Sequence, residues 1–132
     1  MKVFLDTNVL AGAAATRGLC GDVLREVLAC HELLISEQVL GELHRVLRGK
    51  FGMPQELIED FLLLLRQDIT HVEAVLPQIE LCDKDDLGIL GAAIQGGADV
   101  LVTGDKELLA LDRVESLAIL SPRQFWEGLR TV

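Results

Sequence analysis

Four acidic residues stand where an isolated carboxylate would be costly. Asp6 follows Val3-Phe4-Leu5 with no loop between them, and Asp105 follows Val100-Leu101-Val102-Thr103 across a single glycine. Each apolar run reads as a buried strand, so each acid is delivered to a strand's carboxyl end, the edge at which parallel α/β sheets bind ligands. Glu42 falls beside Val46 at the margin of the stripe Val39, Leu40, Leu43, Val46 and Leu47 on a helix expected from Glu37 to about Arg48, so it leans toward the sheet. Asp86 belongs to the first turn of a helix capped by Asp83 and continuing through Leu87 to Gly97. It lies near the middle of the inward stripe Leu90, Ala93, Ile94 and Gly97, whereas Asp85 is rotated away by roughly 100°.

Alone, Asp6 would read as a helix cap. Four converging acids call for something else, because two like charges about 4 Å apart repel by about 4 kcal/mol at an effective dielectric of about 20. A cation or protons must balance them. All-oxygen ligands favour Mg²⁺ or Mn²⁺, and a carboxylate site that leaves waters on the ion suits phosphodiester hydrolysis by an activated water. Lys106, Arg45 and Arg17 are candidates for steering a phosphate toward such a site. A zinc site from Cys30, His31, His44 and His71 has poor spacing, and no Ser-His-Asp, Cys-His or P-loop pattern is present.

The elements that must hold these acids alternate. Strands are expected at Val3–Leu5, Leu33–Ile35, loosely within Ile69–Val75, at Val100–Thr103 and at Leu117–Leu120. Helices are expected at Leu10–Ala15, Leu19–Cys30, Glu37 to about Arg48 with Ser36 as cap, Pro54 to about Gln67, Leu87–Gly97, Lys106–Leu111, and from Ser121-Pro122 onward. The fold class is therefore α/β, a three-layer α/β/α sandwich around a central, mainly parallel sheet of four to five strands. Pro77 to Cys82 reads as a connector. Leu57, Ile58 and Phe61 to Leu65 spread around more of their helix than one core face needs, which points to a homodimer or partner surface.

With 132 residues, half of them apolar, the chain is expected to form a single domain over 1–132. No apolar stretch has the length of a membrane span and the start lacks a signal-peptide pattern, so a cytoplasmic protein is expected. Three cysteines, Cys20, Cys30 and Cys82, fit a reducing compartment and read as small packing residues. The formal charge of −9 is opposite to that of a protein gripping nucleic acid by phosphate contacts, unless part of the excess is gathered in a cation pocket.

Leu5-Asp6-Thr7-Asn8, Glu42 within Ser36-Glu37-x-x-x-x-Glu42, Asp86 before Leu90-x-Ala92-Ala93, and Val102-Thr103-Gly104-Asp105-Lys106 together resemble the PIN domain. More narrowly, the chain resembles the toxin component of bacterial and archaeal toxin-antitoxin systems. The resemblance spans essentially the whole chain. It implies a metal-dependent endoribonuclease acting on RNA and leaving a 5′-phosphate and a 3′-hydroxyl. It makes Asp6, Glu42, Asp86 and Asp105 the catalytic, metal-binding quartet, with Asn8 and Thr103 supporting it by hydrogen bonds and Mg²⁺ or Mn²⁺ as cofactor. Dimerisation and a small antitoxin are implied as well. Gly88 and Gly91 depart from a strong helix around Asp86, by up to about 1 kcal/mol each relative to Ala. Two alternatives remain: a catalytically silent PIN-like partner-binding protein, and a haloacid-dehalogenase-like phosphatase, which would need an acid where Asn8 stands. With no Tyr, four Phe and one Trp, sequence readout by base stacking is not expected.

Overall fold

The computed structural model describes residues 1–67, 70–72 and 84–129, and among these the side chains of 67, 70–72 and 84–86 are outside the description. Strands β1 (Lys2–Leu5), β2 (Glu32–Ser36), β3 (Thr70–Val72), β4 (Val100–Val102), β5 (Arg113–Val114) and β6 (Leu117–Leu120) form one sheet in the order β3-β2-β1-β4-β6-β5. Every pairing is parallel except β5 with β6. Five parallel strands match the sequence expectation; the two-residue β5 does not appear in it.

Helices α1 (Thr7–Ala15), α2 (Leu19–Cys30), α3 (Glu37–Gly49), α4 (Gln55–Gln67), α5 (Lys84–Gln95), α6 (Lys106–Leu111) and α7 (Pro122–Leu129) flank the sheet. The chain leaves β1 toward β2 and β3 on one side and later returns to build β4 and β6 on the other. The direction of winding therefore reverses between β1 and β4, which in open sheets of this kind sets a ligand crevice beyond their carboxyl ends. Asp6 and Thr103 directly follow those two strands.

The core is aliphatic. Val3, Phe4 and Leu5 of β1, Leu34 and Ile35 of β2, and Leu101 and Val102 of β4 are at most 1% exposed. Continuous apolar strands of this kind are what a sheet covered on both faces demands. In α3, Val39, Leu40, Leu43 and Leu47 are buried, and Ser36 Oγ accepts the Val39 amide at 3.2 Å, the expected cap.

Several boundaries differ from expectation. Helix α1 begins at Thr7, three residues early, because Asp6 itself is its N-cap. Helix α5 ends at Gln95, and Gly97 is not on its inward stripe. With φ of +71°, Gly97 forms the left-handed turn in which its amide reaches Ile94 O (3.0 Å) while the Ala98 amide reaches Ala93 O (3.0 Å). Cys20 is half-buried, but Cys30 is exposed and so is not a packing residue. Cys82, Asp83 and the expected 77–82 connector lie outside the described residues.

Helix α4 buries Ile58 and Leu65 completely, while Leu57, Leu63 and Leu64 are more than half exposed. A groove of about 330 Å³ lined by Ala14, Met53, Leu57, Asp60, Phe61 and Leu64 runs beside them. Among the described residues no helix is long and apolar enough to cross a membrane.

Candidate active site

Asp6 is 4% exposed at the carboxyl end of β1. Its amide donates to Val102 O (3.0 Å), extending the β1–β4 ladder by one residue, and its carbonyl accepts the Val9 and Leu10 amides at 3.1 Å each. The side chain is equally fixed: Oδ1 accepts the Thr7 amide and Oδ2 accepts Thr103 Oγ1, both at 2.6 Å. Burial raises the Asp6 pKa above the usual carboxylate value, the bonds from Thr103 and Thr7 oppose that rise, and the nearby Glu42 and Asp105 carboxylates reinforce it.

Thr103, fully buried after β4, is shared between two acids. Its hydroxyl donates to Asp6 and accepts the Asp105 amide at 3.0 Å. Asp105 caps α6, with Oδ1 accepting the Glu107 (2.8 Å) and Leu108 (3.2 Å) amides. Both strand-to-acid transitions therefore continue directly into helices. Replacing Thr103 with Val is expected to reduce stability by about 1–3 kcal/mol, because two polar groups lose a buried partner. The deleted bond favours ionised Asp6, so the loss in urea titrations should be larger above the titration of Asp6 than below it.

Glu42 is half-buried one turn into α3 and is held from both sides. Thr7 Oγ1 donates to Oε2 at 2.9 Å and Gln38 Nε2 donates to Oε1 at 3.0 Å. Neither donor carries a role in the sequence reading. The signal for Gln38 is its spacing four residues before Glu42 on one helix; Thr7 has none beyond its adjacency to Asp6.

The structure brings Glu42 and Asp105 each into electrostatic range of Asp6. The three do not close into a three-ligand cage among the described residues, and each carboxylate accepts from hydroxyl or amide donors. Asp86 lies on the first turn of α5, with its side chain outside the described residues. Asn8 does not supply the expected hydrogen bond: it is exposed on α1, and the neighbouring Thr7 hydroxyl points inward instead. One residue along a helix turns a side chain by roughly 100°, which separates the two.

The three basic candidates are exposed. Lys106 adjoins Asp105 and Arg45 follows Glu42 by one turn, but Arg17 lies past the far end of the nine-residue α1, roughly 14 Å along the helix from Asp6. The zinc reading gains no support: the His31 ring packs edge-on against Phe125, His44 pairs with Gln55, the His71 side chain lies outside the described residues, and no group of three or more His, Cys, Asp or Glu able to hold a metal occurs among the described residues.

The PIN domain family profile matches residues 2–107, four-fifths of the chain and every element that builds this crevice. The chain belongs to the PIN domain family. No curated protein matches it by sequence. Solved structures similar to this PIN domain include a chain of VapBC2 from Rickettsia felis bound to a promoter DNA fragment, with 18% identity, TM-score 0.64 and coverage of 90% of this chain and 97% of that one. Another is VapC20 from Mycobacterium tuberculosis, described as a Sarcin-Ricin loop cleaving toxin, with 17% identity, TM-score 0.60 and coverage of 86% and 97%. A third is a chain of VapBC-1 from nontypeable Haemophilus influenzae, with 20% identity, TM-score 0.61 and coverage of 93% and 99%. At these identities the likeness is one of fold.

Proposed function

We propose that this PIN domain is a divalent-metal-dependent endoribonuclease and the toxin of a toxin-antitoxin pair. The observation that carries the reading is the buried Asp6 carboxylate in the β1/β4 crevice, with its ionisation opposed by burial and by two further carboxylates. An all-oxygen, acidic donor set suits Mg²⁺ or Mn²⁺, and the cation would relieve the repulsion that Asp6 meets without it. Asp6, Glu42, Asp86 and Asp105 are assigned as the residues that hold it. When bound, the ion supplies an activated water and stabilises charge on the phosphate.

The chain's own groups prepare the site. Thr103 orients Asp6 and braces the Asp105 backbone, while Thr7 and Gln38 fix both oxygens of Glu42. Lys106, beside Asp105, and Arg45, one turn beyond Glu42, are assigned to guiding an incoming RNA phosphate. The net charge of −9 is consistent with acids gathered for a cation. The similarity to VapBC chains supports an antitoxin partner, and the exposed leucines of α4 support a homodimer or partner contact. A cytoplasmic location belongs to the same reading.

The test is cleavage of labelled RNA with Mn²⁺ or Mg²⁺ and its arrest by chelation. Wild type should cleave, and Asp6→Asn and Asp86→Asn should each be inactive. Undiminished cleavage by both variants would remove the site, and a wild type inert with every metal would favour the catalytically silent partner-binding protein.

A further inference from the structure

One of the two donors to Glu42, Gln38, is seated against a glycine. Gln38 Nε2 bonds Glu42 Oε1 across one turn of α3, while the other side of the same amide faces α5. A Cβ built on Gly88 would overlap Gln38 Oε1 and come within 2.9 Å of its Cδ and 3.0 Å of its Nε2. Bare backbone is what lets α5 lie against this amide. Gly88 is otherwise a poor choice in a helix interior, where Ala is preferred.

We propose that Gln38 is the positioning residue for Glu42 and that Gly88 keeps α5 open for its amide. The inference rests on the reading of Glu42 as a metal ligand. Without Gln38, Thr7 alone among the described residues would hold the carboxylate, leaving Oε1 without the donor that orients it. Partners of this kind set ligand orientation and commonly change metal affinity by about 10–100-fold. The obstacle met by a methyl at position 88 is the far end of a flexible side chain, so Gly88→Ala should displace the Gln38 amide and leave α5 in place.

Mn²⁺ binding to the full chain, measured by calorimetry without RNA and paired with thermal melting, tests this. Gly88→Ala should bind Mn²⁺ about tenfold more weakly while melting no lower than wild type. Gln38→Met, which keeps length but removes the donor, should show the same weakening, and the double variant should be no worse than either single one. A purely structural role would instead lower the melting temperature and leave the affinity of the folded protein unchanged. Binding lost in Asp6→Asn but unchanged in Gly88→Ala and Gln38→Met would overturn the positioning role alone, as would additive losses in the double variant. A wild type without Mn²⁺ binding, or Asp6→Asn binding as wild type does, would overturn the metal-site reading and this inference with it.

Discussion

Asp6→Asn is expected to lower RNA cleavage by roughly 10³-fold or more, the scale of removing a preorganised charge-stabilising group, and yet to make the metal-free protein harder to unfold at neutral pH. The second effect follows from linkage. In the unfolded chain Asp6 titrates near its ordinary 3.8, whereas in the folded protein burial places its pKa higher. Between those two values the folded state holds the extra proton, so stability falls as pH rises, and the loss is complete once pH exceeds the folded pKa. Asn carries no such charge. Its Oδ1 can still accept the Thr7 amide while its Nδ2 donates to the Thr103 hydroxyl, which keeps one lone pair beyond the one that accepts the Asp105 amide. Melting curves in chelator should therefore converge at acidic pH and separate above it, with Asp6→Asn the higher.

Metal should reverse that order. A ligand at 100 times its dissociation constant stabilises the state it binds by about 2.7 kcal/mol, so Mn²⁺ should raise the melting temperature of wild type and leave Asp6→Asn nearly unmoved. Equal stabilisation of both proteins would show that Asp6 does not hold the ion. The opposed movements separate a site residue from a packing residue, for which chemistry and stability are lost together.

The acids were legible in the sequence because burying a charge is conspicuous: Asp6 and Asp105 interrupt apolar runs, and Glu42 sits at the margin of an apolar stripe. Their donors were not. Thr7 and Gln38 are ordinary residues for the first turn of a helix; Gln38 carries only the common four-residue spacing to Glu42, and Thr7 reaches the same carboxylate only because α1 packs against α3. Gly88 shows the same limit in reverse. Its low helix propensity is visible, but the compensation lies in another helix. The parallel strands were readable from apolar runs bounded by polar residues. Strand β5 was not, since its two residues are entered through Asp112 at φ +61° and left through Glu115 at +54°, turns that carry no glycine to mark them. The start of α1 is hidden for a related reason: one residue, Asp6, both follows the first strand and caps the helix.

Phe4→Ala should give the opposite profile to Asp6→Asn. Phe4 is wholly buried in the middle of β1, in register with Leu34 of β2 on one side and Leu101 of β4 on the other. Truncating it removes apolar burial and leaves a cavity on one face of the sheet, against the helix layer that covers it, which cannot close without shifting packed elements. A loss of about 3–5 kcal/mol is expected, against a total stability of about 5–15 kcal/mol for a domain. Urea titration should show a lower midpoint with an unchanged slope, because the unfolded chain exposes nearly the same surface. The carboxyl end of β1 has its own anchors two residues on, in the Val102 pairing, the α1 amides and the Thr103 hydroxyl. These should hold Asp6 in place despite the cavity. Cleavage per folded molecule should therefore stay close to wild type while the folded fraction falls, and a specific activity that drops as far as that of Asp6→Asn would mean that the crevice draws its geometry from the packing of β1 rather than from those anchors.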